Sequence, residues 1–219
     1  MQNIFFITTP DSKLSDQKEV IIKVIEDEIP RLREIFNFSE FFNITVHNMP
    51  HLTIKEQGCG GYTPSAEWMQ LYVDVDSDLW GSEQLLLNLK NTLIHEFNHT
   101  VRWATASYGY SLLETFISEG IATAFEKEQT KINVDWGIYS ENEVATFLKT
   151  AKDIGRERMR ASGDHSQYLF GTEAIPKYFG YKFGTYIIDE FRKNNPEIQW
   201  GNLTKMNHKE ILEKSKVVF

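Results

Sequence analysis

The sequence predicts an α+β protein, in which a small N-terminal sheet is followed by a mostly helical C-terminal half. Two observations lead to this prediction. Residues 68–75 alternate between apolar and polar side chains, which is the period of a half-buried strand. Beyond residue 82, apolar residues instead recur at the three- and four-residue spacing of helices through several long segments.

The composition is that of a globular chain of ordinary size. Its 219 residues are 41% hydrophobic and 25% charged, which is enough to bury a sizeable core. No internal repeat or flexible linker marks a boundary. We therefore expect one domain over residues 1–219, with an N-terminal helical segment in residues 1–40, the sheet and central helices in residues 41–130, and a helical subdomain in residues 131–219.

Charge and cysteine content argue against several classes of protein. The chain has 23 Lys and Arg against 31 Asp and Glu, and this net charge of -8 disfavours binding to nucleic acid or to an anionic membrane. A single cysteine, Cys59, excludes an intrachain disulfide and a Cys-rich metal site. No apolar run is long enough to span a bilayer, and no signal peptide is recognisable. We expect a cytoplasmic protein that binds neither nucleic acid nor membranes, in an oligomeric state that the sequence leaves open.

The first elements in chain order are predicted to be helices and short strands. Apolar residues at helical spacing predict a pair of helices between Leu14 and Phe36, with Pro30 as a break or kink. Short strands are predicted at residues 43–46 and 53–55. A glycine-rich turn at residues 58–61 then leads towards the alternating strand of residues 68–75.

Two central helices have recognisable start signals. Ser82 is a plausible N-cap of the first, which should end near residue 106. Ser111 begins the second, which should end near residue 129, and Ser111 with Glu114 has the pattern of a capping box. Three further helices are predicted, at residues 141–160, at residues 178–193 and from about residue 208.

The first central helix contains His95-Glu96-Phe97-Asn98-His99, the pattern HExxH. Because a helix turns by about 100° per residue, residues four apart lie about 40° from each other, and both imidazoles can reach one metal ion. A separate stripe of this helix is apolar, and we expect the two histidines to face a polar cleft instead. The members of the apolar stripe are Leu86, Leu93, Phe97, Val101 and Ala104.

A third ligand should come from another element, since a catalytic zinc takes three protein ligands and keeps one position open for water. Glu119 lies in the second central helix, whose apolar residues cover most of its circumference. A carboxylate there is costly unless it is paired, hydrogen-bonded or bound to a metal. Because Glu114 is assigned to the cap, Glu119 is the better ligand; the alternative is a buried acid paired with Arg102 or a hydroxyl. Gly120 beside it would let two helices pack closely.

The HExxH sequence followed after nineteen residues by Glu119 resembles the pattern of the gluzincin metallopeptidases, the thermolysin-like class. The chain is more closely similar to the YjaZ-like predicted zinc-dependent proteases. That resemblance includes the helix with Ser118-Glu119-Gly120, the upstream segment Gly60-Gly61-Tyr62-Thr63-Pro64 and the downstream stretch Gly180-Tyr181-x-x-Gly184. It covers roughly residues 50 to 195.

The resemblance implies a zincin-like fold, in which an edge strand of a mixed sheet lies over the HExxH helix, and a zinc metallopeptidase activity. His95, His99 and Glu119 would hold one zinc ion per chain, and Glu96 would act as the general base. The strand of residues 68–75 would correspond to the edge strand that pairs with a peptide or protein substrate.

The residue that stabilises the oxyanion is less well defined. Tyr181 is our candidate, and His165 competes for the role. The alternatives are a core tyrosine for Tyr181 and an ordinary surface histidine for His165. Thr123 stands four residues after Glu119, where the thermolysin pattern often has an Asp that hydrogen-bonds the first zinc histidine. The residue that orients His95 is therefore an open question.

Two other functions remain open at this point. The chain could be a zincin-fold binding or regulatory protein without turnover, but Glu96 argues against this, since a structural zinc is closed by a fourth ligand and has no use for a base. It could also be a zinc hydrolase of a small non-peptide amide. A long cleft with a free edge strand would favour peptides, whereas a closed pocket would favour the small amide.

Overall fold

The computed structural model of the chain describes residues 2–9, 12–106 and 111–219. In these residues the predicted α+β class is confirmed: a small mixed sheet in the N-terminal half is followed by helices. The structure divides into a first unit, residues 1–104, and a second unit, residues 105–219. The single-domain organisation stays a prediction. None of the described helices is long and apolar enough to cross a membrane.

The sheet of the first unit has four strands in the order β1-β2-β4-β3. They are β1 (Gln2–Ile7), β2 (Phe42–Asn48), β3 (Cys59–Ser65) and β4 (Trp68–Val73). Strands β1 and β4 run parallel to β2, whereas β3 runs antiparallel to β4. The expectation that the strand of residues 68–75 is the edge strand is therefore wrong, because β4 has a hydrogen-bonded neighbour on both sides. In the described part of the sheet, the edges are β1 and β3.

Three N-terminal segments differ from the prediction. Strand β1 lies where a helical segment was expected, and its side chains alternate only between half-buried and exposed, which gives a weak strand pattern. The pair of helices is not divided at Pro30: a short α1 (Lys13–Asp16) precedes α2 (Lys18–Phe36), which continues through Pro30 because its apolar face is buried along its length. Residues 53–55 do not form a strand but follow a 3₁₀ turn, and only Ile54 bridges to Cys59.

The first long helix of the centre, α3 (Glu83–Thr105), begins as predicted, with the Ser82 hydroxyl accepting a hydrogen bond from the backbone N–H of Leu85 at 3.2 Å. Its Phe97 ring is fully buried. The centroids of the Phe36, Phe38 and Phe42 rings lie 5.7, 5.8 and 5.7 Å from that of Phe97. This cluster sets the rotation of α3 about its axis. Of the predicted apolar stripe, Leu93, Phe97 and Val101 are buried, whereas Leu86 is half-buried and Ala104 is exposed near the ends of the helix.

The second unit is helical in its described residues. Its elements are α4 (Leu112–Thr130), α5 (Glu141–Arg160), α6 (Ser166–Phe170), α7 (Phe179–Asn194), α8 (Trp200–Lys205) and α9 (His208–Ser215). The predicted helices correspond to α4, α5, α7 and α9, and the short helices α6 and α8 were not predicted. Ser111 caps α4 by accepting a hydrogen bond from the Glu114 backbone N–H, and Ser140 with Glu143 forms a full capping box at α5.

Helices α4 and α7 cross at two glycines. A Cβ atom at Gly120 would lie 2.2 Å from the carbonyl carbon of Gly184, and one at Gly184 would lie 1.9 Å from the carbonyl oxygen of Phe116. Neither position can hold a larger residue without moving a helix backbone. The prediction that Gly120 lets two helices pack closely is confirmed, and its partner is the second glycine of the Gly180-Tyr181-x-x-Gly184 stretch.

Candidate metal centre

His95 and His99 lie one turn apart on α3, with their rings side by side. Their Nε2 atoms are 3.1 Å apart, and the ring centroids are separated by 4.9 Å. Two nitrogens bound tetrahedrally to one zinc ion, each at about 2.0–2.1 Å, are about 3.3 Å apart. His99 is buried and His95 is half-buried. The pair therefore has the spacing that two ligands of a single metal ion require.

The carboxylate of Glu96 is held by the edge strand β3. The Thr63 hydroxyl lies 2.7 Å from Glu96 Oε2, to which it donates, and 3.2 Å from the Glu96 carbonyl oxygen. The Trp103 indole N–H in turn donates to the Thr63 carbonyl oxygen at 2.8 Å. Glu96 is only 6% exposed. Hydrogen bonds from two directions thus connect β3 to α3 beside the paired imidazoles.

Alternate residues of β3 face α3, as the two-residue period of a strand requires. Cys59 Sγ lies 3.6 Å from the Thr92 hydroxyl. A Cβ atom at Gly61 would lie 2.5 Å from Glu96 Cγ. Thr63 completes the row with its hydrogen bond to Glu96. The missing side chain at Gly61 therefore makes the space that the Glu96 side chain occupies.

Sequence reasoning assigned no role to Gly61 or Thr63. Both lie in the glycine-rich segment that carries the family resemblance, so the signal was present. The sequence does not indicate which elements lie next to this segment. It therefore shows neither that β3 is the edge strand nor that β3 faces Glu96.

The negative charge of Glu96 also affects Tyr72 on β4. Burial raises the pKa of the Tyr72 hydroxyl, and the charge of Glu96 raises this pKa further.

Glu119 lies on α4, immediately before the glycine at which α4 crosses α7, and it is half-buried. His95 and His99 belong to the first unit and Glu119 to the second, and Glu119 as the third ligand stays a prediction. Two histidines and one carboxylate are a donor set that catalytic zinc sites use. The paired imidazoles of α3 therefore fit the metal that the motif implies.

The competing acid, Glu114, has a different role from the one expected. Its backbone N–H donates to the Ser111 cap at 3.2 Å. Its carboxylate is fully buried and contacts the His208 imidazole. The preference for Glu119 over Glu114 as a ligand thus rests also on this contact with His208.

His165, one of the two oxyanion candidates, precedes α6 and is only 8% exposed, so the alternative of an ordinary surface histidine is wrong. Its Nδ1 lies 2.8 Å from the hydroxyl of Thr115, one turn before Glu119 on α4. Burial lowers the pKa of the His165 imidazole, which favours its neutral form.

The other candidate, Tyr181, is half-buried on α7, and its ring centroid lies 6.1 Å from that of Phe170. Thr123 is fully buried. Its methyl carbon is 2.7 Å from the position that a Cβ atom at Gly137 would take, and its hydroxyl has no hydrogen-bond partner in the described part of the chain. Thr123 therefore does not replace the Asp of the thermolysin pattern.

The chain matches a known protein family. The profile of a protein family described as predicted Zn-dependent protease (DUF2268) matches residues 21–213. The match extends beyond residues 50 to 195, where the motifs carry the resemblance, and it includes most of α2 and most of α9. No curated protein and no solved structure matches the chain significantly.

Proposed function

Because the chain belongs to the family of predicted Zn-dependent proteases, we propose that it is a zinc metallopeptidase of the gluzincin type, which hydrolyses peptide bonds. One observation on this chain supports the proposed activity most directly. A carboxylate held by a hydrogen bond from an edge strand, Glu96, lies in sequence between two imidazoles that have the spacing of metal ligands. A purely structural metal site would not need the Glu96 carboxylate beside its ligands.

His95, His99 and Glu119 are the proposed zinc ligands, with one ion per chain. Their donor set leaves a fourth coordination position for water in a tetrahedral site. When bound, zinc would lower the pKa of that water and polarise the scissile carbonyl group.

Glu96 is the proposed general base and acid. Its carboxylate takes a proton from the attacking water and later donates a proton to the leaving amine. The hydrogen bond from Thr63 restricts the rotation of this carboxylate, and the space left by Gly61 lets it approach β3. Both features keep the base in one orientation, which a proton transfer over hydrogen-bond distance requires.

The substrate is proposed to be a peptide or protein that adds to the sheet beside β3. The outer side of this strand has no partner strand in the described residues, and the antiparallel β4 lies on its inner side. An extended peptide can pair with such an edge through main-chain hydrogen bonds, and its side chains then give specificity. The edge position of β3, directly beside Glu96, favours a peptide over a small amide.

Tyr181 is proposed ahead of His165 to stabilise the oxyanion. An oxyanion needs a hydrogen-bond donor. The lowered pKa of His165 leaves a neutral imidazole with one N–H, and its Nδ1 is already within hydrogen-bond distance of Thr115. The Tyr181 side chain is an O–H donor, so it can donate to the oxyanion without a change of charge.

The proposal is tested with purified wild-type protein and the Glu96→Gln variant, both loaded with zinc and incubated with a peptide library whose products are identified by mass spectrometry. We expect wild type to cleave, and Glu96→Gln to keep its zinc but lose about 10²–10⁴-fold in rate, the usual contribution of a general base. Glu83→Gln, at the exposed start of the same helix, is the matched control and should cleave like wild type. Unchanged cleavage by Glu96→Gln would reject Glu96 as the base.

A further inference from the structure

A cavity of about 440 Å³ lies within the second unit, and none of the proposed metal ligands lines it. The start of α4, the last turns of α5, helix α9 and the residues after α9 form its walls. Its volume lies within the range of about 300–1,000 Å³ that is typical of small-molecule sites. Apolar side chains form part of its lining, among them Leu113, Met159 and Leu212.

Four basic side chains surround this apolar lining: Arg156, Arg160, Lys209 and Lys216. All four are exposed, and none forms an ion pair with another described residue. Arg156 and Arg160 are four residues apart and lie on one side of α5. Lys209 lies in the first turn of α9, and Lys216 is the C-cap residue of that helix. We call the space between these four side chains the basic cavity.

The other ionisable groups of the basic cavity do not balance this charge. Glu213 is the one acidic side chain in the described lining. His208 also lines the cavity, but its imidazole contacts the buried carboxylate of Glu114. Four like charges around one space repel each other, in a chain whose net charge is -8. A bound anion would relieve this repulsion.

The backbone of α5 changes direction where the basic wall begins. Gly155 has φ +79° inside the helix, a conformation that favours glycine. A Cβ atom at this position would meet nothing within 4 Å, so the backbone conformation rather than close packing explains the glycine. Arg156 follows directly after this kink, and Arg160 lies one turn further along α5.

We propose that the basic cavity binds an amphiphilic anion, with a carboxylate or phosphate head among the four cations and an aliphatic chain over Leu113, Met159 and Leu212. The cations supply charge-assisted hydrogen bonds to the head, and the apolar lining removes the chain from water. An inorganic anion would use only the first of these features, and an uncharged lipid only the second. The site shares no residue with the proposed metal centre, so it goes beyond the proposed function.

The test is isothermal titration calorimetry of the full, zinc-loaded chain with four probes below their micelle-forming concentrations: decanoate, decyl phosphate, decanol and acetate. We expect saturable binding of one decanoate or decyl phosphate per chain, and the tighter of the two identifies the head group. Decanol and acetate should each bind at least about tenfold more weakly, since each lacks one of the two interactions. Failure of both ten-carbon anions to bind, or equal binding of decanol, would overturn the proposal.

Two double variants locate the binding. Arg160→Ala with Lys216→Ala removes one cation from each wall and should weaken binding of the anion by about tenfold or more. Lys152→Ala with Lys214→Ala removes the same charge from α5 and α9 at residues outside the cavity lining, and it should bind like wild type. Far-UV circular dichroism checks that both fold. Equal affinity of the two double variants would contradict the site, whereas Glu96→Gln should bind the anion normally whether or not the chain is a peptidase.

Discussion

The hydroxyl of Thr63 donates a hydrogen bond to the carboxylate of Glu96, at 2.7 Å. This contact joins the edge strand of the sheet to the helix that carries two of the proposed zinc ligands. The surface proposed to bind the substrate and the proposed general base are therefore adjacent and mechanically connected. Four predictions follow from this arrangement and from the packing of the second unit.

The first prediction concerns the hydroxyl of Thr63. In Thr63→Val the shape is kept but the donor is lost, so we expect retained zinc, a similar KM and a kcat lowered by about tenfold or more, as for loss of a hydrogen bond to a charged group. Thr63→Ser should restore kcat. Steady-state kinetics on a cleaved library peptide measures this effect. Thr45→Val, in strand β2 of the same sheet, is the control, and a Thr63→Val enzyme as fast as this control would contradict the role.

The second prediction concerns the space at Gly61. The Cβ atom of Gly61→Ala would lie 2.5 Å from Glu96 Cγ, so the Glu96 side chain must move away from β3. We expect a lower kcat with the zinc content unchanged, because Glu96 is not a proposed ligand. Ser65→Ala, at the end of the same strand, should leave kcat unchanged. Normal turnover by Gly61→Ala would contradict this prediction, because catalysis would then not depend on the position of the Glu96 side chain.

The third prediction concerns the crossing of α4 and α7. Gly184→Ala would place a Cβ atom 1.9 Å from the Phe116 carbonyl oxygen, which forces the two helices apart. Overpacking of this kind costs about 1–3 kcal/mol of unfolding free energy. Urea denaturation followed by circular dichroism should show the loss for Gly184→Ala and Gly120→Ala. Glu190→Ala, on a polar position of α7, serves as control, and the prediction fails if the glycine variants unfold at its midpoint.

The fourth prediction concerns the protonation of His165. Burial lowers its pKa in the folded chain below the ordinary value of about 6.5. Below that pH the unfolded chain therefore binds more protons than the folded chain. The stability that depends on the neutral imidazole is thus present above about pH 6.5 and is lost on acidification. An NMR titration, with the signal assigned through His165→Gln, measures the midpoint. A midpoint at or above the ordinary value would reverse the argument for Tyr181 over His165.

Local signals predicted much of this structure. Ser82 and Ser111 mark the starts of α3 and α4 because an N-cap acts within one turn of its helix. The spacing of His95 and His99 predicts that both side chains lie on one face of α3, because helix geometry alone determines which residues share a face. These features need no knowledge of the rest of the chain.

Features that depend on distant pairing were not predictable in this way. The alternation of residues 68–75 identifies a strand, but its neighbours β2 and β3 are set by long-range hydrogen bonds. The edge strand was therefore assigned to β4 instead of β3, and the contact of Thr63 with Glu96 was missed. Gly120 predicted a close helix contact, but only the packing of α4 on α7 shows that Gly184 is its partner.

The most direct test of the central claim is the metal content of the purified chain after zinc loading and dialysis. We expect about one zinc ion per chain for wild type, and loss of that zinc in His99→Ala and in Glu119→Ala, since a catalytic zinc needs three protein ligands. His51→Ala and Glu128→Ala remove an exposed histidine and an exposed acid, and both should keep their zinc. A wild-type chain that retains no zinc, or full retention in both ligand variants, would contradict the claim.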